Sequence, residues 1–130
     1  MKPETAFYQK VRKGMTKSKI TRVESWVNLG IPDCIVAVEN HFHLVELKVA
    51  QPNGRVKISP HQIAFHNAHK GCPTWIFVQY NKGRKIHLLV YEGWKAYTLV
   101  DLGILLPPDH EQKYPLDWNK VEKHLTTFKN

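Results

Sequence analysis

A single mixed α/β domain, with elements in the order αβββαββα, is the fold class this chain predicts. Three observations point to it. Two apolar runs, residues 33–38 and 42–49, are separated only by Glu39-Asn40-His41 and read as adjoining strands of one central sheet. A second pair of strand-like runs, 75–80 and 85–91, flanks Asn81-Lys82-Gly83-Arg84. Segments with helix start signals lie before, between and after these pairs, placed to flank the sheet. A length of 130 residues suits one domain with a real core.

The elements follow in order. Residues 4–13 read as a helix: Pro3 suits the first turn, Ala6, Phe7 and Val11 form an apolar stripe, and Gly14 is expected to stop it. Residues 20–27 have strand composition, and Asn28-Leu29-Gly30 turns the chain into the first strand pair. Gln51-Pro52-Asn53-Gly54 is a loop. Ser59-Pro60-His61-Gln62 then opens a helix running to about residue 70, with Ser59 as N-cap, Pro60 at the first helical position and Gln62 completing a capping box. Residues 94–100 suit a short helix, Pro107-Pro108 begins an irregular stretch, and Trp118, Val121, Leu125 and Phe128 recur at helical spacing. The core is expected over residues 4–91, with 92–130 a C-terminal extension available as a dimer interface.

Composition narrows the class. A hydrophobic share of 42% argues against disorder. The formal charge of +8 favours a polyanionic partner, nucleic acid first among them, over a merely soluble basic protein. Lys10, Arg12, Lys13, Lys17, Lys19 and Arg22 crowd the N-terminal arm and are the candidate DNA contacts. Lys82, Arg84 and Lys85 form a second group in a hairpin loop. The two cysteines give no disulfide framework and, with the histidines, no zinc spacing. No apolar run approaches the roughly 18 residues of a membrane span, so a soluble, cytoplasmic chain is expected.

Three charges interrupt the first strand pair: Asp33, Glu46 and Lys48. A buried charge costs several kcal/mol unless paired or metal-bound, so their presence there calls for a reason. A hairpin turning on Asn40-His41 sets Glu39 opposite Phe42, Ile35 opposite Glu46 and Asp33 opposite Lys48. All three charges then share one face, and same-face neighbours roughly 5–7 Å apart let two carboxylates share one divalent cation. A one-residue slip would send the carboxylates to opposite faces.

Pro32-Asp33, then Glu46-Leu47-Lys48, resembles the signature of the PD-(D/E)XK nucleases. The Ser-Pro-His-Gln helix start resembles the branch of VRR-NUC domains, Holliday junction resolvases and small phage endonucleases. The likeness spans about residues 4–80. It implies a restriction-endonuclease-like fold and a Mg²⁺-dependent DNA endonuclease, with Mn²⁺ as a substitute. Asp33 and Glu46, with the Leu47 carbonyl, would hold the ion, and the catalytic set would be Asp33, Glu46, Lys48 and Gln62. Phosphodiester hydrolysis fits these residues: hard carboxylate oxygens suit Mg²⁺, and a lysine can position or deprotonate water.

Several residues keep two readings. Glu4 matches the family's first-helix acid and is equally a carboxylate favoured at a helix N-terminus. Glu24, in an Arg-x-Glu element, is a further metal ligand or a surface charge. Gln62 is an active-site amide or only the capping-box partner. His66, one turn on, lines the groove and touches phosphate, or is packed. Cys34 alternates away from Asp33 into the core, and the four tryptophans read as core or interface. Asn53-Gly54-Arg55 lacks the strand-to-helix glycine turn of a phosphate cradle.

The likeness favours a structure-selective enzyme that cuts branched DNA, such as a four-way junction, in DNA recombination or repair. A symmetric homodimer suits paired cuts. If phage-encoded, the chain would act in the host cytoplasm. A general nickase or a flap or linear-duplex endonuclease is the alternative within the class. A non-catalytic nucleic-acid-binding module on a nuclease fold is the alternative outside it.

Overall fold

The protein, seen in a computed structural model, is described over residues 2–23 and 30–128. Six strands form one sheet in sequential order: β1 (Ser18–Arg22), β2 (Cys34–Val38), β3 (His41–Val49), β4 (Thr74–Lys82), β5 (Lys85–Glu92) and β6 (His110–Gln112). All neighbours are antiparallel except β3 and β4, which are parallel. A parallel pair needs a long crossover. Residues 50–73 supply it, carrying α2 (Pro60–Ala68). The other helices are α1 (Pro3–Gly14), α3 (Ala96–Leu102) and α4 (Trp118–Leu125). The mixed α/β class is as expected, α3 answers to the short helix read over residues 94–100, and the sheet gains β6 beyond the expected order.

Period-two alternation sorts side chains into two cores. One face sends Cys34, Val36, Val45, Leu47, Phe77, Leu88 and Val90 against Phe7 and Val11 of α1 and Val121 and Leu125 of α4. The other sends Ile76, Val78, Leu89 and Tyr91 against Val56, Ile58, Ala96 and Leu99. Cys34 lies in the core as expected, and burial pushes its thiol up to about 12. The central strand β4 is buried on both faces over its first six residues, which accounts for its near-continuous apolar run.

The first hairpin turns one residue earlier than the pattern suggests. Glu39 and Asn40 occupy the loop, at φ 51° and 65°, so Val38 pairs with His41 and Cys34 with Val45. Both central positions of such a turn need positive φ. This placement takes Glu39, a poor strand former, out of the ladder and leaves His41 in it. Every partner moves by two residues, so the faces are preserved while Asp33 comes opposite Glu46 instead of Lys48.

Other boundaries also shift for physical reasons. α1 ends at Gly14 as expected, with Gly14 its last residue rather than the one beyond it, and a Cβ there would sit 2.2 Å from Cδ1 of Trp118. β1 starts at Ser18, before the expected residue 20, while 24–27 of that expected strand lie outside the described residues. β6 spans only three residues and rests on β5, too short to leave a periodic signal.

The C-terminal third is built into both layers rather than appended to a finished core. Leu99, Val121 and Leu125 are each fully buried. Asp117 caps α4, accepting from the N–H groups of Asn119 and Lys120. Glu122 ties α4 to the start of β1, its Oε2 accepting from Lys17 N at 2.8 Å and Ser18 Oγ at 2.6 Å. Leu125→Ala should cost about 2–5 kcal/mol in urea unfolding. A loss under about 1 kcal/mol would show α4 to be dispensable to the core.

Candidate active site

The segment Gly30-Ile31-Pro32-Asp33 delivers an aspartate to the mouth of the hairpin. Gly30, at φ 78°, lies so close to α2 that a Cβ would stand 2.1 Å from the His61 carbonyl oxygen. Only glycine tolerates both the conformation and the approach. Continuing the β2–β3 register past Cys34–Val45 sets Asp33 opposite Glu46 and Pro32 opposite Leu47. The Leu47 N–H points to this side, donating to Asp33 Oδ2 at 2.7 Å. A strand residue directs its N–H and C=O to the same neighbour. The Leu47 carbonyl therefore also faces Pro32, which has no N–H to give.

Glu46 is 1% exposed. Its Oε2 accepts from Gln62 Nε2 at 3.2 Å. Among the described residues its Oε1, also buried, has no hydrogen-bond partner. Burial raises its pKa well above the carboxylate range, and the adjoining Asp33 carboxylate raises it further; Lys48 opposes both. An orphaned, buried carboxylate oxygen beside a second carboxylate is a donor set that a hard divalent cation would satisfy. Among the described residues no three His, Cys, Asp or Glu side chains gather as a ready cage. Mg²⁺ is commonly held by one or two carboxylates with water and phosphate completing its shell.

Gln62 closes the capping box and also reaches Glu46. Its Oε1 accepts from Ser59 N at 2.9 Å, while Ser59 Oγ accepts from Gln62 N at 3.2 Å, closing the capping box. Its Nε2 remains free to reach Glu46. The cap therefore fixes the amide that orients the carboxylate, and the box need not be broken for the contact to form.

Lys48 is half-buried and lines an open groove with Gln51, Arg55, Lys57, Ser59 and Gln62. Arg55 and Lys57 were not singled out by their sequence, because the loop lacks a glycine-rich strand-to-helix turn. What exposes them is alternation: Gly54, Val56 and Ile58 are buried and the two cations point out. The loop is pinned, with Gln51 N donating to Arg55 O at 2.8 Å and Ile104 N to Gly54 O at 2.9 Å.

Glu4 stands exposed at the start of α1, within electrostatic reach of the pair. Partial burial raises its carboxyl pKa, Lys48 lowers it and Asp33 raises it. Glu24 lies outside the described residues. The basic arm does not gather at the site. Lys10, Arg12 and Lys13 lie exposed on α1, and Lys17 and Lys19 sit toward the Glu39–Asn40 turn. Arg22 alone is paired beside Asp33, opposite Cys34, its guanidinium 5.0 Å from the Tyr8 ring centre.

His66 corrects the reading that it touches phosphate. It is fully buried between α2 and the sheet, with Nδ1 3.3 Å from Thr74 Oγ1. Burial, with His69 and Lys48, lowers its pKa to about 4. Its spacing from Gln62 put it on the sheet-facing side of α2, and at that depth the helix seals it from solvent.

Glu46 makes stability depend on pH. The unfolded chain releases its proton near the ordinary 4.5, whereas the folded state retains it to higher pH. The folded state thus binds more protons, and the Glu46 contribution to stability falls as pH rises above 4.5. In EDTA, Glu46→Gln should show a flatter decline of urea midpoint with pH than the native chain. Identical slopes would mean Glu46 is not held protonated.

Searches against protein-family models, curated proteins and solved structures returned no match to this chain.

Proposed function

We propose that this chain is a Mg²⁺-dependent DNA endonuclease of the PD-(D/E)XK type, selective for branched DNA. One observation carries the reading: a buried glutamate with an unmet oxygen faces an aspartate across a hairpin, with Lys48 two residues on. The groove beside them holds Arg55 and Lys57. Such a site pairs anionic oxygens with cationic side chains, the combination a phosphodiester and a divalent cation would need.

Asp33, Glu46 and the Leu47 carbonyl would hold the cation, and Glu4, which feels the charges of Lys48 and Asp33, is a further candidate. When bound, Mg²⁺ or Mn²⁺ would offset charge on the phosphate and make a water more acidic. Gln62 orients the Glu46 carboxylate through its Nε2–H. Lys48 holds or deprotonates the attacking water, and Arg55 and Lys57 grip phosphate oxygens. The net charge of +8 suits recognition by phosphate and shape. No helix among the described residues is long and apolar enough to cross a membrane.

A twofold dimer would match the paired strands of a junction. The exposed Tyr97, Leu102 and Leu105 on the α3 side are its candidate contact. Sedimentation at micromolar concentration should report twice the chain mass, and a monomer would remove the dimer.

The activity test uses labelled four-way junction and matched linear duplex, with Mg²⁺ or EDTA. Symmetric Mg²⁺-dependent cuts in the junction alone are expected. Asp33→Ala and Glu46→Ala should abolish cutting while DNA binding persists. Lys48→Ala should slow it by about 10²-fold, the scale of lost acid–base help. Wild-type rates in either carboxylate variant would sink the site assignment. Equal cutting of both substrates would make the enzyme a general nickase, and binding without cutting would favour a non-catalytic module.

A further inference from the structure

The parallel register carries a second basic surface to the same end of the sheet as the carboxylate pair. Lys48 lies beside Val78, and β4 continues four residues further, to Lys82. At ~3.3 Å per residue the β4–β5 tip stands about 13 Å beyond Lys48. Residues 81–85 are all exposed there, including Lys82, Arg84 and Lys85.

The face is shared as well as the end. Val78 and Leu89 belong to the core on the Glu46 side of the sheet. Alternation puts Tyr80, Lys82, Lys85 and His87 on that side. These four line one hollow with Glu111, Lys113 and Tyr114. Tyr114 N donates to His87 Nδ1 at 3.0 Å, so His87 Nε2 is left as the ring's donor. Lys85 Nζ stands 5.9 Å from the Tyr114 ring centre. Among the described residues the one ion pair is Lys95–Asp109, so none of these cations is neutralised, and Glu111 is the one carboxylate lining the hollow.

We infer that the β4–β5 tip, with Lys82, Arg84, Lys85 and Lys113, is a second phosphate-binding surface that grips the DNA backbone flanking the cut. This rests on the endonuclease reading. A reach of about 13 Å corresponds to about four base pairs at ~3.4 Å per step along a duplex. The tip therefore engages an arm of the substrate, while Arg55 and Lys57 engage the reacting phosphate.

The test compares the native chain with a triple variant, Lys82→Ala, Arg84→Ala and Lys85→Ala, and with Lys120→Ala/Lys123→Ala on α4 as charge control. Binding to a duplex long enough to cover both surfaces is followed against salt in EDTA, so cleavage plays no part. The triple variant should lose about two to three units of log–log salt slope, at ~0.9 per phosphate contact, and the control none. With Mg²⁺, KM should rise in the triple variant and kcat at saturating DNA should hold. An unchanged slope in the triple variant, or an equal loss per charge in the control, overturns the surface. If the native chain binds with the tip-dependent slope and never cuts, the surface stands and the endonuclease reading falls.

Discussion

The structure turns on the placement of one acid. Glu46 is buried with an oxygen that no other described residue hydrogen-bonds, and Asp33 faces it from the next strand. In a protein interior two such carboxylates cannot both ionise without a cation between them. Their proximity follows from the Glu39–Asn40 turn, since moving the turn by one residue displaces each partner by two. Pro32 and Gly30 complete the arrangement, one withholding an N–H from Leu47 and the other letting the segment slide under α2. A strand designed for stability alone would put valine at position 46.

The parallel β3–β4 pair sets a groove beside this arrangement. An antiparallel partner could have been joined by a tight turn. A parallel one forces the chain to cross back, and residues 50–73 do so over the Glu46 face. That crossing brings Arg55, Lys57 and Gln62 to Lys48, none of them near Asp33 in sequence. It also leaves β4 and β5 to run past the site, so the same topology that builds the groove raises the basic tip. α3 and the loop after it then lock the crossing, through Ile104 and Gly54.

Much of this was legible from residue pattern, and the failures share a cause. Period-two alternation put Asp33, Glu46 and Lys48 on one face, and that survived a misplaced turn because an error of two in register keeps parity. The Ser59–Gln62 box was readable because a cap is encoded within four residues. The exact partner of Asp33 was not, since Glu39-Asn40-His41 offers two turn positions that differ only in how strand-compatible the displaced residue is. Arg55 and Lys57 were hidden because their placement depends on where a long crossover lands. Spacing alone sets His66 one turn beyond Gln62 and leaves groove-lining and packing both open; its depth depends on the packing against Thr74 and Gly93, where a Cβ on Gly93 would stand 2.3 Å from His66 Nδ1. β6 was missed because three residues carry no period.

Gln62 shows why fold and site cannot be separated here. An amide offers an acceptor and a donor on one rigid plane. Its acceptor closes the cap of α2 and its donor holds Glu46, so the start of the helix and the orientation of the acid are set together. A glutamate at this position could still cap Ser59 N but would present a third negative oxygen to the pair. A leucine would do neither. Glutamine is the side chain that completes the helix end without adding charge beside the Asp33–Glu46 pair, and it leaves Glu46 Oε1 open.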